Sequence, residues 1–237
     1  MIRVITSRAN PRVKTLAAEM ESLLVFEGEK LVMDLVARKA GIRILVVNQK
    51  MKERIREQDA EEVWQAGRPV LEKLSRLRSA PDFIAVVRAP RNRIPLDSAR
   101  SILVLDRIQD PANAGTALRC AAAFGIDAVA FTGDAVRPEN PKLIRAAQTA
   151  ILDVPFRTYP SLEDLLNRSG SRRFNVYMTA ASGEGESLSP IEIKTPCMVV
   201  VGHEGKGLED RWLSEYPVIR IPQTQRVESL NAGVSAC

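Results

Sequence analysis

Three short loops carry residues whose types and spacing could do chemistry. The first runs Asp106-Arg107-Ile108-Gln109-Asp110-Pro111-Ala112-Asn113-Ala114-Gly115 and leads to Arg119. Asn113 is placed either to cap the helix that ends at Gly125 or to face a ligand. Arg119 lies beside the apolar Leu118, Ala121 and Ala122, where a positive charge would suit an anionic substrate. The second loop, Gly202-His203-Glu204-Gly205-Lys206-Gly207-Leu208, holds three glycines within six residues, which lets backbone approach a ligand closely. The third, Pro222 to Asn231, ends in Glu228-Ser229-Leu230-Asn231. There Ser229 could cap a helix beginning at Leu230, and Asn231 offers both a donor and an acceptor.

Other chemistries are poorly supplied. The lysine of the glycine loop is not followed by Ser or Thr at Walker A spacing, and no Gly-x-Gly-x-x-Gly follows the first strand of this region. Cys120, Cys197 and Cys237 form no Cys-x-x-Cys pair, and with His203 the sole histidine a zinc site of the usual kind has no ligand set. A histidine-based nucleophile mechanism would have to use His203, for which a solvent-facing loop position is the simpler reading.

Periodicity locates the elements that must position these loops. Ile102–Leu105, Ala128–Phe131, Phe174–Met178, Cys197–Val201 and Val218–Ile221 read as strands; 114–124, 141–150 and 161–167 read as helices. Such alternation predicts an α/β fold with a parallel sheet covered on both faces. Ligands of open parallel sheets sit beyond the carboxyl ends of strands, and each of the three loops follows a strand.

Upstream, Asn10-Pro11 reads as a helix start, residues 31–36 as a helix, and Ile42–Val47 and Phe83–Val87 as strands. Lys52 to Ala66 reads as a charged helix and Leu71 to Leu77 as a shorter one. The expected organisation is a small α/β domain over residues 1–90, a basic, proline-bearing linker over 91–98 and a larger α/β domain over 99–237.

Charge divides along the same line. Residues 1–95 hold 19 Lys/Arg against 12 Asp/Glu, a net +7, whereas 96–237 hold 15 against 17, a net −2. A basic lobe beside a near-neutral one points to a grip on a polyanion by the first. Apolar residues make up 45% and charged residues 27%, as in soluble globular proteins. No run approaches the roughly 18 apolar residues of a membrane span. The start, Met1 to Arg8, lacks the apolar core of a secretory signal, so a cytoplasmic location is expected.

The three loops, in this order, resemble the three motifs of the SpoU (TrmH-like) family of RNA ribose 2′-O-methyltransferases. The matching residues are Leu105-Asp106, Asp110 to Gly115, Leu118-Arg119, Ala121-Ala122 and Phe124-Gly125; then Gly202, Glu204-Gly205 and Gly207-Leu208; then Ile221-Pro222 and Glu228 to Asn231. The stretches Ile5-Thr6-Ser7, Asn10 to Lys14, Phe26 to Val32 and Ala80-Pro81 are similar to the ribosomal-protein-like substrate-binding domain that precedes the catalytic domain in many members.

The resemblance implies a trefoil-knotted C-terminal domain, a homodimer and S-adenosylmethionine as cofactor, held by Gly202, His203, Glu204, Gly205, Ile221 and Leu230. It implies Arg119 as the catalytic arginine, with Asn113, Glu204, Ser229 and Asn231 orienting it and the ribose. Because a guanidinium is a poor base at neutral pH, phosphate clamping is the preferred role for Arg119. RNA is the implied partner, rRNA before tRNA by analogy of domain arrangement, with Arg8, Arg12, Lys14 and Lys30 as contacts. The open alternative is a non-catalytic RNA-binding protein that keeps the fold. Members of the family continue beyond the point matching Cys237, so the C-terminal helix is expected to be truncated.

Overall fold

The computed structural model describes residues 1–88, 98–169, 173–180, 186–187, 192–222 and 230–237. Most of the expected linker, and Ser229, lie outside the described residues. The chain forms two compact units: residues 1–88 with Pro138–Leu152, and the described remainder.

The first unit begins with β1 (Ile2–Ile5) and α1 (Pro11–Glu19), followed by β2 (Leu24–Glu27), α2 (Glu29–Ala37), β3 (Ile42–Asn48), β4 (Glu62–Ala66), α3 (Arg68–Leu74) and β5 (Phe83–Val87). Asn10 caps α1 by accepting from Arg12 N–H, and Pro11 fills the first turn, where its missing donor costs nothing. The sheet order is β1-β4-β3-β5-β2, with β1, β4 and β3 parallel and β5 antiparallel to both neighbours. Val13, Leu16, Ile44, Val46, Trp64, Leu71 and Ile84 share one core cluster.

One expected element is overturned here. Residues 52–66 do not form a helix; short 3₁₀ turns lead into the strand β4. The charged stretch has no apolar helical stripe to bury. Val63, Trp64 and Ala66 instead fill the slot between β1 and β3, where pairing on both sides outweighs local helix preference. The following helix sits earlier than expected, since Pro69 opens it and it ends at Leu74. The strands β1 and β2 carry no alternation long enough to be read from sequence.

The second unit is built on β6 (Ser101–Asp106), α4 (Pro111–Phe124) and β7 (Ala128–Thr132). After β7 the chain enters the first unit, where α5 (Pro141–Ala147) and the turn to Leu152 pack against β2 and α2. The chain resumes with β8 (Phe156–Tyr159), α6 (Leu162–Ser169), β9 (Asn175–Thr179), β10 (Glu186–Ser187), β11 (Cys197–Val201), α7 (Asp210–Glu215), β12 (Val218–Arg220) and α8 (Ala232–Ser235). All recorded pairings in this sheet are parallel, in the order β10-β12-β9-β11-β6-β7-β8. The α/β class and parallel sheet are therefore as expected.

Its central strands are apolar in their interiors, as Ile102–Leu105 and Met198–Val201 show, because both faces are covered. Val104, Ala130, Met178, Met198 and Val200 meet Leu165, Leu166 and Trp212 on the face of α6 and α7. The helix α8 lies against α4, and Cys120 and Cys237 join the two with a Cα–Cα distance of 5.2 Å. Strand order reverses between β6 and β11. Loops leaving those neighbours diverge and open a crevice at their carboxyl ends.

Candidate functional site

The helix after β6 is set by groups other than those expected. Asp110 is its cap, accepting from Ala112 N–H at 2.8 Å; Pro111 opens the first turn, and Gly125, at φ 70°, closes the helix. Asn113 is thereby released from capping, which corrects one of its two readings. Its side chain is buried, at 7% exposure, so its polar atoms need protein partners.

They have them. Asn113 Nδ2 donates to Glu204 Oε1 at 3.1 Å, and Asn113 Oδ1 accepts from Asn231 Nδ2 at 2.7 Å. Glu204 also accepts from the backbone N–H groups of Asp110 (3.2 Å) and Gln109 (3.4 Å). Burial acts to raise the Glu204 pKa. The hydrogen bonds from Asn113 and these backbone groups more than offset it, so the carboxyl sits below its ordinary value. Glu204 is thus held as an ionised acceptor.

Asn231, not Ser229, caps the last helix. Its Oδ1 accepts from Gly233 and Val234 N–H, at 2.9 and 3.2 Å, and α8 starts at Ala232 rather than Leu230. A Cβ on Gly233 would lie 3.0 Å from Asn113 Cα, so a glycine lets α8 close on α4 at this point. The three loops therefore meet in one network.

The glycine loop folds tightly on itself. Gly207 N–H donates to the His203 carbonyl at 2.8 Å, and a Cβ on Gly202 would come within 2.7 Å of both Gly207 C and Leu208 N. His203 Nδ1 accepts from the N–H groups of Gly205 (2.9 Å) and Lys206 (3.3 Å), which puts the imidazole proton on Nε2. The histidine organises its own turn.

Two cavities flank this network. A polar one of about 440 Å³ is lined by Gln109, Asp110, Asn113, His203, Glu204, Leu230, Asn231 and Ala232. A larger one of about 530 Å³ is bounded by residues 202–208, by Thr179 and Ala180 after β9, by Ile219, Arg220 and Ile221, and by Leu213, Leu230 and Ala232. His203, Glu204, Leu230 and Ala232 belong to both. An apolar cavity with backbone at its rim, next to a cleft of amide and carboxylate groups, suits a bound cofactor beside a polar substrate.

Residues 100–237 match the family model described as the SpoU rRNA Methylase family, more than half of the chain. The chain belongs to the SpoU rRNA Methylase family. It is 34% identical over 155 residues to the 23S rRNA (guanosine(2553)-2′-O)-methyltransferase RlmP of Bacillus subtilis, covering 64% of this chain and 60% of that protein. It is 36% identical over 144 residues to an uncharacterized tRNA/rRNA methyltransferase of Synechocystis sp., covering 60% of this chain and 52% of the relative. The chain thus spans between half and three fifths of the length of these curated relatives. Among solved structures, an AdoMet-bound rRNA methyltransferase from Sinorhizobium meliloti superposes with a TM-score of 0.79 at 24% identity, over 99% of this chain and 94% of that one. The SpoU methyltransferase AviRb from Streptomyces viridochromogenes gives a TM-score of 0.75 at 21% identity, over 96% and 93%. At these identities the likeness concerns the fold.

Of the SpoU motif residues singled out from sequence, Asn113, Glu204 and Asn231 come together, with His203 and Leu230 beside them. Gly202, Gly205 and Ile221 border the larger cavity. Arg119 does not join them: it is exposed and lines neither cavity. Six residues beyond Asn113, it is turned about 240° around α4. In the first unit Arg8, Arg12, Lys14 and Lys30 are all exposed, and Arg12 also pairs with Glu62, its Nη1 3.4 Å from the carboxylate. The same Glu62 accepts from Trp64 Nε1 and Arg3 Nε, at 3.1 and 3.2 Å.

Sequence reasoning placed Gln109 and Asp110 in the first loop without giving either a role of its own, and it missed Gly233. The Asp110-Pro111 pair was the available signal for the cap, since Asp followed by Pro is a helix start. No local signal marks Gly233, whose role exists only once α8 meets α4.

Proposed function

We propose that this chain transfers a methyl group from S-adenosylmethionine to a ribose 2′-hydroxyl of RNA, in a 23S-type rRNA. The observation that carries the reading is the Glu204–Asn113–Asn231 network, which fastens the three SpoU motif loops around the junction of the two cavities. The larger cavity, about 530 Å³, falls in the size range of ligand pockets and fits the cofactor. Its walls offer apolar side chains such as Leu213 and Ile219 to an adenosyl group, and backbone at Gly202 and Ile221 to the polar edges.

When bound, the cofactor supplies an electrophilic methyl on a sulfonium. What remains for the protein is orientation and proton handling. Glu204, kept ionised, fixes the motif loops, and Asn113 and Asn231 hold the cleft in which the ribose would sit. Arg119, exposed on α4, is available to a substrate phosphate rather than to the bound hydroxyl directly. Its positive charge beside the nucleotide lowers the pKa of the reacting hydroxyl.

The first unit, with its basic excess and exposed Arg8, Lys14 and Lys30, is the proposed RNA grip. A trefoil knot is proposed for the second unit, supported by the return of the C-terminal α8 onto its first helix, α4. A homodimer is proposed as well. Exposed Phe124 on α4 and Val234 on α8, at 69% and 58%, are apolar surface that a second copy would cover. No helix among the described residues is long and apolar enough to cross a membrane, and a cytoplasmic site of action follows from an rRNA substrate.

The test is Arg119→Ala: methyl transfer to RNA is lost while calorimetric binding of S-adenosylmethionine persists. Full activity in that variant would remove Arg119 from the mechanism, and absence of cofactor binding by the unaltered chain would favour a non-catalytic RNA-binding protein.

A further inference from the structure

The residue after β6, Arg107, has no part in the network above, yet its surroundings are unusually constrained. It is a non-glycine residue in the left-handed region, at φ 56°, with its backbone N–H on the Thr132 carbonyl at 3.0 Å. Its Nε donates to Asp106 Oδ2 at 2.9 Å. That carboxylate is buried and fixed on its other oxygen by Thr132 Oγ1 at 2.6 Å. A Cβ on Gly133 would stand 2.8 Å from Arg107 Cγ, so a glycine leaves the lane through which the side chain runs.

This arrangement aims the guanidinium at the glycine loop. Nη2 donates to the Gly207 carbonyl at 3.2 Å, and Nη1 lies 3.7 Å from Glu209 Oε1. The Gly207 carbonyl carbon is in turn the atom that a Cβ on Gly202 would strike, at 2.7 Å, and Gly202 borders the larger cavity. A continuous line of contact thus runs from buried Asp106 through Arg107 and Gly207 to the cavity wall. Arg107 itself lines neither cavity.

We propose that Arg107 is a positioning residue for cofactor binding, clamping the 202–208 loop from outside in the conformation that forms the pocket wall. The inference rests on the reading of the larger cavity as the S-adenosylmethionine site. Glu204 reaches from the glycine loop to backbone N–H groups of the first loop, and Arg107 reaches from the first loop to a backbone carbonyl of the glycine loop. The two loops hold each other by reciprocal charged contacts, one at each end.

A positioning role affects binding of the cofactor in ground and transition states alike, so it should appear in KM and Kd and not in kcat. In the full chain, Arg107→Met is expected to weaken S-adenosylmethionine binding by calorimetry about tenfold or more, with a matching rise in KM. The turnover number at saturating cofactor should stay within about twofold. Arg107→Lys, which keeps charge but loses the fork, should fall between the two. Arg107→Gln, which keeps part of the stem but loses the charge and the fork, should reproduce the loss, and it decides the matter if Arg107→Met does not fold by circular dichroism. Unchanged Kd and KM in a folded variant, or a fall in kcat alone, would overturn the proposal. Failure of the unaltered chain to bind S-adenosylmethionine would instead overturn the cofactor reading on which it rests.

Discussion

The side-chain amide of Asn231 donates to that of Asn113 across 2.7 Å, joining residues 118 apart in sequence. Each of the two does a second job. Asn113 donates to Glu204 in the glycine loop, and Asn231 caps α8 through its oxygen. One buried amide therefore fastens the helix after β6, the loop after β11 and the C-terminal helix. The strands could be parallel and ordered without this, but the cleft between the cavities would not be closed.

Removing Asn113 should leave Glu204 and Asn231 short of a partner each. Asn113→Ala is expected to cost about 1–2 kcal/mol of unfolding free energy, since Asn231 is exposed and Glu204 keeps the Gln109 and Asp110 N–H groups, so water can replace much of what each loses. Asn231→Ala should cost about 2 kcal/mol from the lost cap and the lost bond together. Because they share one bond, the double variant should cost less than the sum. Denaturant unfolding of the three variants checks this, and strict additivity would show that the bond carries nothing.

Glu204 gives a pH signature. Its carboxyl is held below the ordinary glutamate value when folded, so its contribution to stability is present above the unfolded pKa, roughly 4.3, and lost as pH falls through the folded one. Glu204→Gln should therefore flatten part of the acid limb of a stability–pH curve while changing little in its shape near pH 7. Thermal melts from pH 3 to pH 7 read the difference; parallel curves would contradict it.

Gly202 is expected to tolerate no side chain, because a Cβ would fall 2.7 Å from backbone atoms of Gly207 and Leu208 rather than against a flexible group. Gly202→Ala should displace the loop and weaken cofactor binding by tenfold or more, roughly 1.4 kcal/mol, while leaving the parallel sheet intact by circular dichroism. Unaltered affinity would mean that the cofactor does not rest against this loop.

These expectations show where the sequence was informative. The parallel strands were legible because each is a short apolar run with both faces covered, and the three loops because glycine, Asn and Glu stand out after such runs. Residues 52–66 misled because their burial is decided by β1 and β3, partners that the charged window does not announce. Asn113 read equally well as a cap or a ligand-facing group, and the tie was broken by Asp110 three residues earlier. The Asn113–Asn231 bond was beyond reach, as it depends on how α8 returns to α4. The distance of Arg119 from that bond was in principle readable from six residues of helical rotation.

The covalent link from Cys120 to Cys237 holds the same pair of helices. Reduction should cost about 2–5 kcal/mol, as expected for closing a loop of this order. Melting temperature with and without dithiothreitol measures it, with Cys237→Ser as the insensitive control. In a reducing cytoplasm the two cysteines are expected as thiols, with the Asn113–Asn231 bond and Gly233 contact left to hold α8.

The most direct test of the function is transfer itself. The full chain is incubated with ribosomal RNA and S-adenosylmethionine carrying a labelled methyl, and the labelled nucleotide is mapped and hydrolysed to locate the methyl. Expected is a single 2′-O-methylated ribose in the 23S-type RNA, absent with Arg119→Ala. Label on a base, or cofactor binding with no transfer to any RNA, would contradict a ribose 2′-O-methyltransferase.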